Sequence, residues 1–181
     1  PYLENRVLHL PDAVNDKFVK DIDLYRAIAA HMAAHLVYTR EPLSAENLSP
    51  AQRFMVGFAE DARVEYCAKQ DFPGLAKLWC SLHCQHKENP EHISILMLER
   101  LALALLDSSF VVNDAGIDAI AKQFHSDVES NKNDQHFSWN LGLEIFNKLA
   151  ARKDVPSLRL LESIRIPYRD DNRFIWDFDE I

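Results

Sequence analysis

The segment LYRAIAAHMAAHL, Leu24 to Leu36, leaves little choice of conformation. It holds Ala27, Ala29, Ala30, Ala33 and Ala34 and contains neither glycine nor proline, a composition that strongly favours α-helix. Alanine-rich turns also let a neighbouring helix approach closely, because little side chain keeps the axes apart. Leu24, Ile28, His31, His35 and Tyr38 form one stripe at helical spacing. His31 and His35, four apart, therefore leave the same face one turn from each other.

The remaining chain repeats the helical pattern. Asp21 or Asp23 can cap the first helix and Pro42 ends it. Ser49-Pro50-Ala51-Gln52 starts a second, since Ser at N-cap, Pro at N1 and Gln at N3 each satisfy or dispense with an orphan N–H. This helix is expected to run to about Gln70, before Phe72-Pro73-Gly74 breaks it. A third spans Leu75 to about His86. Asn89-Pro90 opens a fourth that reaches Leu106, apolar almost all round and so expected at the bundle centre. Asn113-Asp114 opens a fifth, expected to close in a surface loop at HSDVESNKNDQH, and a sixth covers Phe137 to Ala151. A helical turn at Leu158 to Ile164 then leads into the tail IPYRDDNRFIWDFDEI. That tail is expected to pair as a strand with the N-terminal arm, to complete the core through Trp176 and Phe178, or to pack on a neighbouring domain. With only four glycines in 181 residues, a turn-rich β architecture is disfavoured. The expectation is an all-α, single multi-helix bundle of about six helices over residues 1–181, with a short extended arm at VLHLP.

The net charge of −8, without a segregated basic patch, disfavours nucleic acid as a partner. Three cysteines do not make a disulfide framework and suit a reducing compartment, so a cytoplasmic protein is expected. The longest apolar run, after Arg100, ends at Asp107 and is too short to span a membrane. No glycine-rich phosphate loop or nucleophile elbow occurs, so nucleotide hydrolysis is not assigned to this chain.

Chemistry concentrates on the first two helices. Phe54, Phe58, Asp61 and Glu65 continue one stripe, so two carboxylates extend a line begun by aromatics. Buried ionised carboxylates need partners, and Arg53 and Arg63 are near enough in sequence to serve. His31 and His35 on one helix, with Glu60, Asp61 and Glu65 on the next, could enclose zinc or another divalent metal. They could equally pair as histidine–carboxylate hydrogen bonds that hold two helices together. The histidine spacing is that of a zinc-peptidase helix, but Met32 stands where that motif places its glutamate base. In Cys80-Ser81-Leu82-His83-Cys84-Gln85-His86, cysteines serving as small buried hydrophobes outweigh a soft metal site.

DLYRAIAAHMAAHLVYT, the proline-started helix and EDARVEYCAKQDFPGLAKLW together resemble the N-terminal helical region of the NorD and CbbO group. The likeness covers roughly Asp23 to His83, and its most specific part is the pairing of HxxxH with EDARVE and FPGL. These are large cytoplasmic proteins with a C-terminal von Willebrand A domain, each working with a MoxR-type AAA+ ATPase. The resemblance implies a non-catalytic adaptor that links the ATPase to a target to be matured or remodelled, Rubisco or nitric oxide reductase. ATP hydrolysis would then belong to the partner. This chain supplies no Asp-x-Ser-x-Ser motif for a von Willebrand A domain: Asp107-Ser108-Ser109 has the wrong spacing. The chain is therefore expected to be the N-terminal part of a longer protein. Two other readings remain: a zinc-dependent hydrolase-like domain using the HxxxH helix, and a stand-alone helical scaffold.

Overall fold

The computed structural model describes residues 1–13, 21–83 and 92–177. They form a helical bundle with seven α-helices: α1 (Asp21–Tyr38), α2 (Pro50–Asp71), α3 (Gly74–Leu82), α4 (Ile93–Leu106), α5 (Ala115–Asn131), α6 (Gln135–Ala151) and the short α7 (Leu158–Leu161). Four short strands accompany them: β1 (Tyr2–Glu4), β2 (Val7–His9), β3 (Leu43–Ser44) and β4 (Trp176–Asp177). None of the described helices is long and apolar enough to cross a membrane.

Helix α2 starts where its sequence says it should. Ser49 accepts from the Gln52 backbone N–H, and the Gln52 side chain accepts in return from the Ser49 N–H. This capping box satisfies two donors that the first turn leaves without intrahelical partners. From Met55 to Glu65 every residue of α2 is buried, because the helix packs against α1, α3, α4, α6 and α7 at once. The centre of the bundle is thus α2, not the apolar α4. Helix α4 has an outer edge, and its first residue, Ile93, is 77% exposed. Composition misleads here because the charges of α2 are matched inside the protein, whereas the apolar Ile93 of α4 is left in solvent.

Helices α2 and α6 cross closely for a simple reason. A Cβ built on Gly142 would lie 2.4 Å from the Val56 Cα and 2.7 Å from the Met55 carbonyl oxygen. Only a glycine admits that approach. At the C-terminus of α4, Lys69 Nζ donates to the Leu106 carbonyl at 2.5 Å, and His125 Nε2 lies 2.7 Å from the Ala104 carbonyl. Side chains from α2 and α5 thereby cap carbonyls that the last turn cannot pair.

Helix α5 continues to Asn131 through most of the polar run expected to be a loop. Val128 is fully buried one turn beyond Phe124, and this single apolar contact, with the Tyr66 hydroxyl donating to Glu129, holds the polar turns helical. Asp134 then caps α6 by accepting from the His136 N–H. Helix α3 ends at Leu82, short of the end expected near His86, because His83 turns to extended backbone; the Asn89-Pro90 start lies outside the described residues.

At the N-terminus, β1 and β2 form a hairpin with Leu3 opposite Leu8. Its turn residues Asn5 and Arg6 both have positive φ, the conformation of a tight two-residue hairpin turn. Among the described residues, the tail does not join this hairpin as a strand. Strand β4 instead pairs in parallel with β3, Leu43 facing Trp176, while the 3-10 turn Arg173–Ile175 packs on β1. Tyr168 and Ile175 are fully buried, so the tail completes the core, through these residues and not through the half-buried Trp176. Phe178 lies outside the described residues.

Candidate functional site

Helix α2 carries four charged residues in its buried stretch, and they divide between two flanks because neighbouring helical residues diverge by about 100°. Glu60 faces one way. It accepts hydrogen bonds from Thr39 Oγ1 at 2.7 Å, Ser138 Oγ at 2.7 Å, Arg63 Nε at 2.8 Å and Arg63 Nη2 at 2.6 Å. Arg63 also donates to the backbone carbonyls of Tyr38 and Lys132. This cluster joins α2 to the end of α1 and to the α5–α6 turn. Its charges are fully paired, which is what allows both to be buried.

Asp61 and Glu65 face the other way, toward α1 and the tail. His35 Nε2 lies 3.2 Å from Asp61 Oδ1, and His31 Nε2 lies 3.5 Å from the same oxygen. His31 Nδ1 lies 3.4 Å from Glu65 Oε1. The expected meeting of imidazole and acid on neighbouring helices is therefore present for His31, His35, Asp61 and Glu65, whereas Glu60 belongs to the opposite cluster.

Three further residues come from the tail. Arg169 donates from Nε to Glu65 Oε1 at 2.8 Å and from Nη2 to Oε2 at 3.0 Å, and its Nη1 lies 3.4 Å from Asp61 Oδ2. Its guanidinium also sits over the Phe58 ring. Asp170 places Oδ1 3.9 Å from His31 Nε2. Asn172, in a left-handed conformation that asparagine tolerates, donates from Nδ2 to Asp61 Oδ2 at 3.1 Å. Of the arginines near in sequence, Arg63 pairs with Glu60 and Arg53 lines an adjacent groove. The guanidinium on Asp61 and Glu65 comes from more than 100 residues away.

The floor is aromatic. Trp79 is fully buried, donates from Nε1 to the Ala27 carbonyl at 3.1 Å and stacks on Tyr168. His31 meets both rings edge-on. His83 and the Tyr168 hydroxyl are 3.0 Å apart. In the cysteine–histidine run, Cys80 is half-buried and His83 serves Tyr168, while Cys84 and His86 lie outside the described residues.

Charge sets the protonation states. Burial alone would push His31 down, but the carboxylates of Asp61 and Glu65 outweigh it and raise the imidazole to about 9. Burial would likewise raise the two acids, but Arg169 and the histidines hold Glu65 down to about 2 and Asp61 lower still. His83 responds the other way: burial, then the nearby Arg169 charge, lowers it to about 4.

Asp61 and Asp170 border a groove of about 640 Å³ between the first half of α2, α7 and the tail, lined also by Phe54, Phe58, Ile164 and Ile166. Among the described residues, one group has the donor types and spacing to hold a metal ion: one ligand atom each from His31, His35, Asp61 and Asp170, all within 4.8 Å of one another. Asp170, Arg169 and Asn172 were not foreseeable from helical spacing. Their only trace in the sequence is the alternation of acid and arginine in YRDDNR, which is unusual next to buried aromatics. In comparisons with known proteins, neither a protein-family model, nor a curated protein, nor a solved structure matches the chain.

Proposed function

We propose that the chain is a non-catalytic interaction domain, serving as the adaptor between a MoxR-type AAA+ ATPase and a target protein of the Rubisco or nitric oxide reductase type. The observation that carries the non-catalytic part is the closure of the site. His31, His35, Asp61 and Glu65 have side chains no more than 4% exposed and face one another and Arg169. Groups so enclosed fix the relative position of α1, α2 and the tail. Met32, where a zinc peptidase would present its base, is a fully buried apolar side chain, which weighs against the hydrolase-like alternative.

The adaptor part rests on the resemblance of Asp23 to His83, and one feature of that segment supports it. Within FPGL, Phe72 is 65% exposed at the α2–α3 corner, and a Cβ on Gly74 would meet nothing within 4 Å. Phe72, Pro73 and Gly74 are exposed while Leu75 packs against the core, which leaves this corner free for contact with another protein. The test is co-purification with the cognate MoxR-type ATPase and acceleration of its ATP hydrolysis. Phe72→Ser is expected to weaken both while leaving the melting temperature unchanged. Absence of both effects with the wild-type chain overturns the reading.

A further inference from the structure

We propose that His31 Nε2, His35 Nε2, Asp61 Oδ1 and Asp170 Oδ1 form a four-donor site for one divalent transition-metal ion of the zinc type. The inference goes beyond the adaptor reading and does not depend on it.

The first ground is a count of hydrogens around His35. Glu60 accepts four hydrogen bonds, one of them from the Thr39 hydroxyl. A hydroxyl has a single hydrogen, so Thr39 Oγ1 can only accept in its other contact, 3.1 Å from His35 Nδ1. Nδ1 therefore bears a proton, and Nε2, 3.2 Å from Asp61 Oδ1, meets that oxygen through a second proton or through a metal ion. A metal ligated by Nε2, with Nδ1–H held by an oxygen, is the usual arrangement of a metal-bound histidine.

The second ground is independent of the first. Both ring nitrogens of the fully buried His31 lack a hydrogen-bond partner, and so does the buried Asp170 Oδ2. The His31 ring repeats the orientation of His35: Nδ1 is toward a carboxylate, Glu65, and Nε2 is toward Asp61 and Asp170. Unpartnered polar atoms this deep are rare in folded proteins, and of those here, which also include Arg169 Nη1 and Asn172 Oδ1, His31 Nε2 is the one directed at both Asp61 and Asp170.

Distance and charge agree with the proposal. A tetrahedral ion with ligand bonds of about 2.1 Å has ligand–ligand edges of roughly 3.4 Å; three of the six edges here are 3.2, 3.5 and 3.9 Å, and all six lie within 4.8 Å. Asp61 and Glu65 pair with the Arg169 guanidinium and Asp170 adds a third carboxylate beside His31, which leaves two negative charges for a divalent cation to balance when both imidazoles are neutral. Asp61 Oδ2 is held from behind by Asn172 and Arg169, so Oδ1 is the oxygen presented to the ion. The mixed imidazole and carboxylate donors suit zinc or a neighbouring first-row ion better than calcium or magnesium. The groove bordering Asp61 and Asp170 supplies a route of entry.

The test uses the full 181-residue chain, stripped with chelator and titrated with Zn²⁺ by calorimetry and with Co²⁺ by visible absorption. Expected are one equivalent bound, the intense d–d bands of tetrahedral Co²⁺, and a melting temperature about 5–10 °C higher with Zn²⁺ at a hundred times its Kd. Asp170→Asn, which keeps the side-chain shape, should weaken Zn²⁺ at least tenfold with little change in the metal-free melting temperature. His35→Gln serves as a second removal should the first variant not fold, and the exposed His136→Gln is a control that keeps full binding. No Zn²⁺ or Co²⁺ uptake by the wild type overturns the proposal, as does uptake that Asp170→Asn and His35→Gln leave unchanged. If neither variant folds, the wild-type stoichiometry and Co²⁺ spectrum decide.

Discussion

Arg169 grips Glu65 through two parallel hydrogen bonds of 2.8 and 3.0 Å across a sequence separation of 104 residues. The fork of the guanidinium matches the two carboxylate oxygens, a geometry that an ammonium cannot reproduce. Through this pair the start of the tail becomes part of the charge centre of the first two helices.

Replacing Arg169 tests how much rests on that pair. Arg169→Met strands two buried carboxylates and is expected to cost about 3–5 kcal/mol of unfolding free energy in urea denaturation. Arg169→Lys should recover part of this and not all, because it restores charge without the fork.

Removal of residues 167–181 should do more than loosen an end. It deletes the buried Tyr168, Arg169 and Ile175 together, and circular dichroism should show either loss of the cooperative transition or a melting temperature lower by well over about 10 °C. A tail that were only a linker would leave the transition in place.

Glycine at 142 is expected to tolerate nothing larger. Gly142→Ala would normally gain about 1 kcal/mol of helix propensity, but its Cβ would strike the backbone of Val56 and Met55. A net loss of about 2–3 kcal/mol is expected, as for other overpacked contacts. Gly116→Ala, whose Cβ would meet Asp114 Oδ1 at an ordinary 3.5 Å, should be neutral or slightly stabilising. Equal effects in the two variants would contradict the close α2–α6 crossing.

For the metal-free chain, two histidines give stability an optimum near neutral pH. His31 is raised from 6.5 to about 9 in the folded state, so its contribution is complete below 6.5 and is lost as pH climbs toward 9. His83 is lowered from 6.5 to about 4, so the unfolded chain takes up a proton first and stability falls as pH drops from 6.5 to 4. Each slope is worth up to about 3 kcal/mol by linkage. Below 4 the depressed Glu65, at about 2, adds a further loss. Urea denaturation from pH 4 to 9 should trace this dome, and His83→Gln should flatten its acid side alone.

Much of the bundle was legible because local signals agreed. The Ser49 capping box, the Ala-rich stripe of α1 and the Asp114 start of α5 each name a helix without help from the rest of the fold. The facing of His31 and His35 toward Asp61 and Glu65 was legible for the same reason, being set by 3.6-residue spacing on two adjacent helices. What local pattern could not supply was the third wall. Nothing within a turn or two of Asp61 marks Arg169, Asp170 or Asn172, since a tail returning to the core is a long-range event. The exchange of Glu60 for Asp170 beside the histidines has the same origin: residues 60 and 61 are neighbours in sequence yet look in different directions. Helix α4 was misplaced at the centre because hydropathy scores side chains singly, and α2 buries its charges as pairs.

Helix α2 is notched on two sides, with Glu60 and Arg63 seated against Thr39, Ser138 and two backbone carbonyls, and Asp61 and Glu65 seated against α1 and the tail. A slide of one residue would turn the rod by about 100° and pull both notches out of their seats together. Only one angular setting satisfies both sides, so the helix cannot creep along its neighbours. Force applied at its Phe72 end would reach the Pro50 end as displacement of the whole body.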